Sequence, residues 1–211
     1  MVKAMTDIFG IDPPQNLSEY VGFKFAGVSD YTIVRSVVEK ATGKTENNED
    51  LINQMILLSE ENYEKNYDGT TELLPGCEHL LKTLSENPNV TVAICSGNLP
   101  KIGESKLVAA GLWKYVNPGC CGWGLHEDRA EILRDTISRS REATKKSFDK
   151  VYHIGDAVQD VQAALDVNKT EEIDVIPIAV LTGRTREFPP NTRIVENLEK
   201  GFQELVDLIT Y

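Results

Sequence analysis

Apolar residues recur at helical spacing through the first third of the chain. In VSDYTIVRSVVEKATG, Ile33, Val34, Val37 and Val38 share one face, with Ser29 or Asp30 placed as the N-cap and Gly43 as the stop. NNEDLINQMILLSEENYEKNY repeats the pattern with Leu51, Ile52, Met55, Ile56 and Leu58, and its charges are expected on the opposite face. VKAMTDIFG has the same spacing at Val2, Met5, Ile8 and Phe9, but no capping residue precedes it. No strong strand signal occurs before residue 88.

Beyond Pro75 the pattern changes to short β-branched runs alternating with helical stretches. It predicts helices near 76–86, 100–110, 128–142 and 157–166, and a last one from about 198. Strands are predicted at VTVAIC (90–95), around 115–121, at KVYHI ending at 154, and at VIPIAVL (175–181). Apolar strands alternating with helices indicate an α/β class, a parallel sheet covered by helices on both faces. The change of texture divides the chain into a helical module, 1–72, and an α/β core, 73–211.

Composition narrows the function classes. The 211 residues suit one large domain, or a medium one carrying a smaller one. Net charge is −11, and residues 1–72 hold six Lys/Arg against thirteen Asp/Glu. Such an acidic surface repels phosphate backbones and argues against nucleic-acid binding. No apolar run approaches the roughly 20 residues of a membrane span, and no secretory signal pattern opens the chain. The four cysteines, Cys77, Cys95, Cys120 and Cys121, match no zinc spacing, which suggests reduced thiols in a cytoplasmic protein. His79, His126 and His153 show no ligand spacing either.

Three stretches carry candidate chemistry. AICSGNLP runs from a strand into Ser96, Gly97 and Asn98, and Pro100 then opens a helix whose N–H groups suit an anion. A plain strand–turn–helix connection also explains that pattern. In GLHEDRAEILRDTI, Asp128 can cap a helix while Arg129 stands in its first turn, where a cation opposes the helix dipole. In VYHIGDAVQD, Asp156 and Asp160 lie one helical turn apart just past a strand. They can be hard oxygen ligands for Mg²⁺, or a helix cap followed by a favourable first-turn acid.

Taken in order, SGN, the arginine and GDAVQD resemble the haloacid dehalogenase-like hydrolases, and most closely their phosphoglycolate-phosphatase-like branch. The likeness also runs through LLPGCEHLLKTL, SGNLPKIGESKLVAAGLWKYV and VIPIAVLTGRT, and FAGVSDYTIVRSVV resembles the family's helical cap. It implies a Rossmann-like core and a Mg²⁺-dependent hydrolysis of small phosphate esters. By that resemblance Ser96 binds the transferring phosphoryl group, with Gly97 and Asn98 around it. Arg129 takes the place of the family's cation, with Lys106 as the second choice, and Asp156 and Asp160 hold Mg²⁺. The partner implied is a small phosphorylated substrate.

One part of the family pattern does not occur. The DxDxT motif, which ends the family's first strand and holds its nucleophile and acid/base, is nowhere in the sequence. Neither Asp7 nor Asp12 follows an apolar strand, and Asp30 suits a helix cap or a contact from the cap to substrate. The expectation is a core without its first strand, poorly stable and inactive as a phosphatase. The alternative is a non-catalytic relative that binds a phosphorylated ligand or a protein.

Overall fold

A computed structural model describes residues 1–12, 14–190 and 192–211. Helix α1 (Val2–Phe9) ends at Gly10, and a short α2 (Leu17–Val21) is capped by the Asn16 side chain. Helix α3 (Asp30–Thr42) begins as its sequence predicts. Ser29 is the N-cap, its hydroxyl accepting from the Thr32 N–H, and Gly43 closes the helix at φ 68°. Helix α4 (Glu49–Asn66) follows. These helices surround a buried cluster of Ala4, Met5, Val34, Val37, Val38, Ile52 and Met55. One expectation fails on α4: Glu60 lies on the buried face, only 5% exposed, rather than among the solvated charges.

The remainder is an α/β layer structure. Strands β1 (Lys150–Gly155), β2 (Asp174–Val180) and β3 (Arg193–Val195) form a parallel sheet in that order. β1 pairs with β2 from Lys150 opposite Asp174 to Gly155 opposite Ala179, and β2 pairs with β3 from Ile178 opposite Arg193. Helices cover both faces, as parallel sheets require. On one face, α7 (Arg129–Thr144) and α8 (Val158–Asn168) bury Leu133, Ile137, Ala164 and Val167 against Val175. On the other, α5 (Cys77–Ser85) and α9 (Phe202–Thr210) bury Leu80, Leu84 and Leu205 against Ile178, Val180 and Val195. Among the described residues, no helix is long and apolar enough to cross a membrane.

Two predicted strands do not form as such. Residues 90–95 are extended but lie outside the sheet, with a single parallel bridge from Cys95 to Gly122. Their bonds run to one side: Asn117 N–H donates to the Val92 carbonyl and Gly122 N–H to that of Ile94, while Ser96 N–H donates to the Gly122 carbonyl. The partner segment predicted at 115–121 is two 3₁₀ turns, Trp113–Tyr115 and Pro118–Cys120, the second capped by the Asn117 side chain. Pro118 and Gly119 favour a turn there, and the turn interrupts the ladder that would have made 90–95 a strand.

Val90 and Val92 nevertheless pack in the same apolar cluster as Tyr152 and Ile154 of β1, and Cys95 and Val151 share the other. The two segments therefore stand in one layer between the same helices. Among the described residues, neither the outer edge of β1 nor the second edge of 90–95 has a β partner.

Candidate active site

Segment 90–95 and β1 both end at the same rim, the carboxyl end of the layer where α/β proteins bind ligands. Past 90–95 come Ser96, Gly97, Asn98 and Leu99, and then α6 (Pro100–Ala109). The Ser96 Oγ accepts from the Asn98 N–H at 3.2 Å and from Asn98 Nδ2 at 2.9 Å. A hydroxyl has two acceptor positions and one donor. With both acceptor positions used, the Ser96 proton is left to point away from Asn98, as a donor. Lys106 Nζ donates to Asn98 Oδ1 at 2.8 Å, which fixes which way the amide faces. Lys106 thus acts on Asn98, and its ammonium also lies 5.8 Å from the centre of the Tyr63 ring.

Arg129 opens α7, with the Asp128 carboxylate capping the helix through the Ala130 N–H at 2.8 Å. The guanidinium reaches Asp160 in the first turn of α8, donating from Nη2 to Oδ1. Its Nε is buried and has no partner among the described residues. Nη1 stands against Gly97, where a Cβ would come within 2.7 Å of it. Any side chain at 97 would meet the guanidinium, so glycine lets loop and cation approach each other. The Gly97 N–H also makes no hydrogen bond among the described residues.

The two aspartates after β1 differ sharply. Asp160 is 5% exposed and is held twice, by Arg129 and by the Ala157 N–H at 3.2 Å. Ala157, not Asp156, occupies the N-cap position of α8, so Asp160 bonds back to the helix start as a first-turn acid. Asp156 is exposed, beside Gly183. Asp156 is the open hard oxygen donor of the kind Mg²⁺ takes beside phosphate and water, whereas both Asp160 oxygens are already bonded. Among the described residues, no group of three or more His, Cys, Asp or Glu forms a fuller set.

A buried histidine and a half-buried cysteine lie beneath this rim. Burial pushes His153 down to about 4, with nearby Arg129 adding to the effect and Asp160 opposing it. Burial likewise pushes the Cys95 thiol up to about 11, against a hydrogen bond to Thr136 and the nearby Arg129 charge. Both are neutral near pH 7, so Arg129 is the cation of this cluster.

The N-terminus of α6 is not the open anion site its sequence suggests. Pro100 has no N–H, Leu99 N–H donates to Asp30 Oδ2 at 2.9 Å, and Lys101 N–H donates to Glu60 Oε1 at 2.9 Å. Burial raises the Asp30 carboxyl above its ordinary range, opposed by the Leu99 N–H and the Lys106 charge. Sequence reasoning placed Asp30 as a cap or a contact, and it missed Glu60. The signal was present: an acid continuing the stripe of Ile52, Met55 and Ile56.

No protein-family model and no curated protein matches this chain. Among solved structures it is similar to a Had-superfamily hydrolase from Ehrlichia chaffeensis. That protein shares 15% identity with a TM-score of 0.49, over 88% of this chain and 91% of the other. At that identity the likeness assigns no residue a role.

Proposed function

We propose that this chain holds the phosphate-handling half of a hydrolase of small phosphate esters, of the haloacid dehalogenase-like kind. The observation that carries the reading is Arg129: a largely buried cation with an unpartnered Nε, its Nη1 against Gly97, next to a serine whose acceptor positions are both taken by Asn98. A buried donor without a partner costs about 1–3 kcal/mol, more when charged, and the guanidinium's Nη1 edge, against Gly97, is the side that a phosphoryl oxygen would meet. Ser96 Oγ–H, Gly97 N–H and Arg129 together make a three-sided donor set for such an oxygen group. Phosphoryl transfer is mostly positioning and charge neutralisation, which these groups provide.

In this reading Asp156 would hold Mg²⁺, with Asp160 reaching it through water because both of its oxygens are already bonded, and the ion would supply charge neutralisation for phosphoryl oxygens. The nucleophile is not among these groups: Asp160 is committed to Arg129 and the Ala157 N–H, and Asp30 to the Leu99 N–H. That observation favours a second reading, in which the chain binds a phosphorylated ligand without turning it over.

Titrating the purified chain with inorganic phosphate, with and without Mg²⁺, tests the site, and an assay with p-nitrophenyl phosphate separates the two readings. Saturable binding that weakens about tenfold or more in both Ser96→Ala and Arg129→Met is the expected result. Phosphate binding indifferent to both substitutions would overturn the proposal.

A further inference from the structure

We propose that Glu60 and Asp30 are positioning residues that build the phosphate loop from outside, so that the anion site exists only while α3 and α4 are seated on α6. The proposal rests on the reading of Ser96, Gly97 and Arg129 given above. Helix α6 cannot cap itself, because Leu99 is its N-cap and offers no side-chain acceptor. Two carboxylates from elsewhere take that role. Asp30, 69 positions upstream, accepts from Leu99, and Glu60, 41 positions upstream, accepts from Lys101.

The arrangement is dense on the backbone as well. Asp30 N–H donates to the Gly97 carbonyl at 2.7 Å, Gly124 N–H to the Asn98 carbonyl at 2.8 Å, and Tyr31 N–H to the Gly124 carbonyl at 3.1 Å. Gly97 and Leu99 are thus each tied to Asp30, and Asn98 to the segment on which Tyr31 sits. These ties hold the 97–98 and 98–99 peptides, and with them the Asn98 residue that bonds twice to Ser96 Oγ. A carboxylate this deeply buried is costly unless it is hydrogen-bonded, and Glu60 meets that condition at the Lys101 N–H. The negative charge that Asp30 brings beside an anion loop is offset by Lys106, which also orients Asn98.

The test measures amide exchange and inorganic phosphate affinity on the full chain. Glu60→Ala is expected to speed exchange at the Lys101 and Leu99 amides and to weaken phosphate binding about tenfold. Glu60→Gln, which keeps an acceptor oxygen, is expected to restore both. Glu64→Ala, which loses only a 3.8 Å contact with the Lys101 ammonium, should leave both unchanged. Where Glu60→Ala does not fold, Asp30→Ala gives the same two readouts from the other helix. A folded Glu60→Ala with wild-type exchange and wild-type phosphate affinity overturns the proposal, as does failure of Glu60→Gln to rescue. If the wild-type chain binds no phosphate, the functional reading falls, and the exchange data alone decide this one: unchanged exchange at 97–101 refutes it, and faster exchange upholds the docking ties.

Discussion

Arg129 and Asp160 join the first turns of α7 and α8 across the rim of the layer, and the pair is largely buried on both sides. Removing one partner of such a pair leaves an uncompensated charge. Asp160→Ala also strips the Ala157 N–H of its acceptor. The expected loss is about 3–5 kcal/mol in urea unfolding. Asp160→Asn removes the same charge but keeps an acceptor oxygen for one of the two donors, so it should lose somewhat less. Near-wild-type stability in Asp160→Asn would mean that charge pairing is not what holds these turns together.

Asp30 gives the fold a pH dependence of known sign. Its folded pKa is raised by burial, so its favourable contribution is complete below the unfolded value, about 3.9, and is lost as pH rises through the folded value. Asp30→Asn keeps an acceptor for Leu99 and removes the titration. The stability of Asp30→Asn relative to wild type should therefore grow from pH 4 upward and then level off. Urea midpoints across pH 3.5–7 measure it, and a difference that shrinks with pH contradicts the burial of this carboxyl.

Gly124 sits where two loops meet. A Cβ there would stand 1.9 Å from the Gly97 carbonyl oxygen, which is backbone and cannot swing aside. Gly124→Ala is expected to cost about 1–3 kcal/mol. It should also weaken phosphate binding, because the 97–98 backbone must move. Wild-type affinity in this variant would show that the loop's position is not what the site depends on.

On the far face, Leu205 of α9 is fully buried against β2 and β3. Leu205→Ala should destabilise by about 2–5 kcal/mol. Phosphate affinity of the folded fraction should stay near wild type, since none of the loop ties involves α9. Calorimetry at a temperature where the variant is folded separates the two effects.

What the sequence disclosed was what adjacent residues determine. Ser29 and Gly43 mark α3 because capping needs only the next few positions, and β1 and β2 announce themselves by short runs containing Val and Ile. Residues 90–95 have the same composition, yet a strand is a relation between segments, and their neighbour turns at Pro118–Gly119 instead of running alongside. In the site, Ser96, Gly97 and Arg129 were found as types in order. The contacts that give them meaning span 31 to 69 positions: Arg129 with Asp160, Leu99 with Asp30, Lys101 with Glu60. No local pattern records those. Lys106, the second choice for the cation, donates to Asn98 Oδ1, a contact within α6 and its loop that residue types alone do not record.

The one-sided pairing of β1 and of residues 90–95 bears on how copies of this protein behave toward one another. Each free edge offers unmatched N–H and C=O groups, the usual template for joining sheets between molecules. A net charge of −11 keeps copies apart at low ionic strength. Salt shortens that repulsion to about 3 Å at 1 M. Colloidal behaviour is therefore expected to follow the electrolyte, with dispersal in dilute buffer and self-association in concentrated salt as the outcome that light scattering would check.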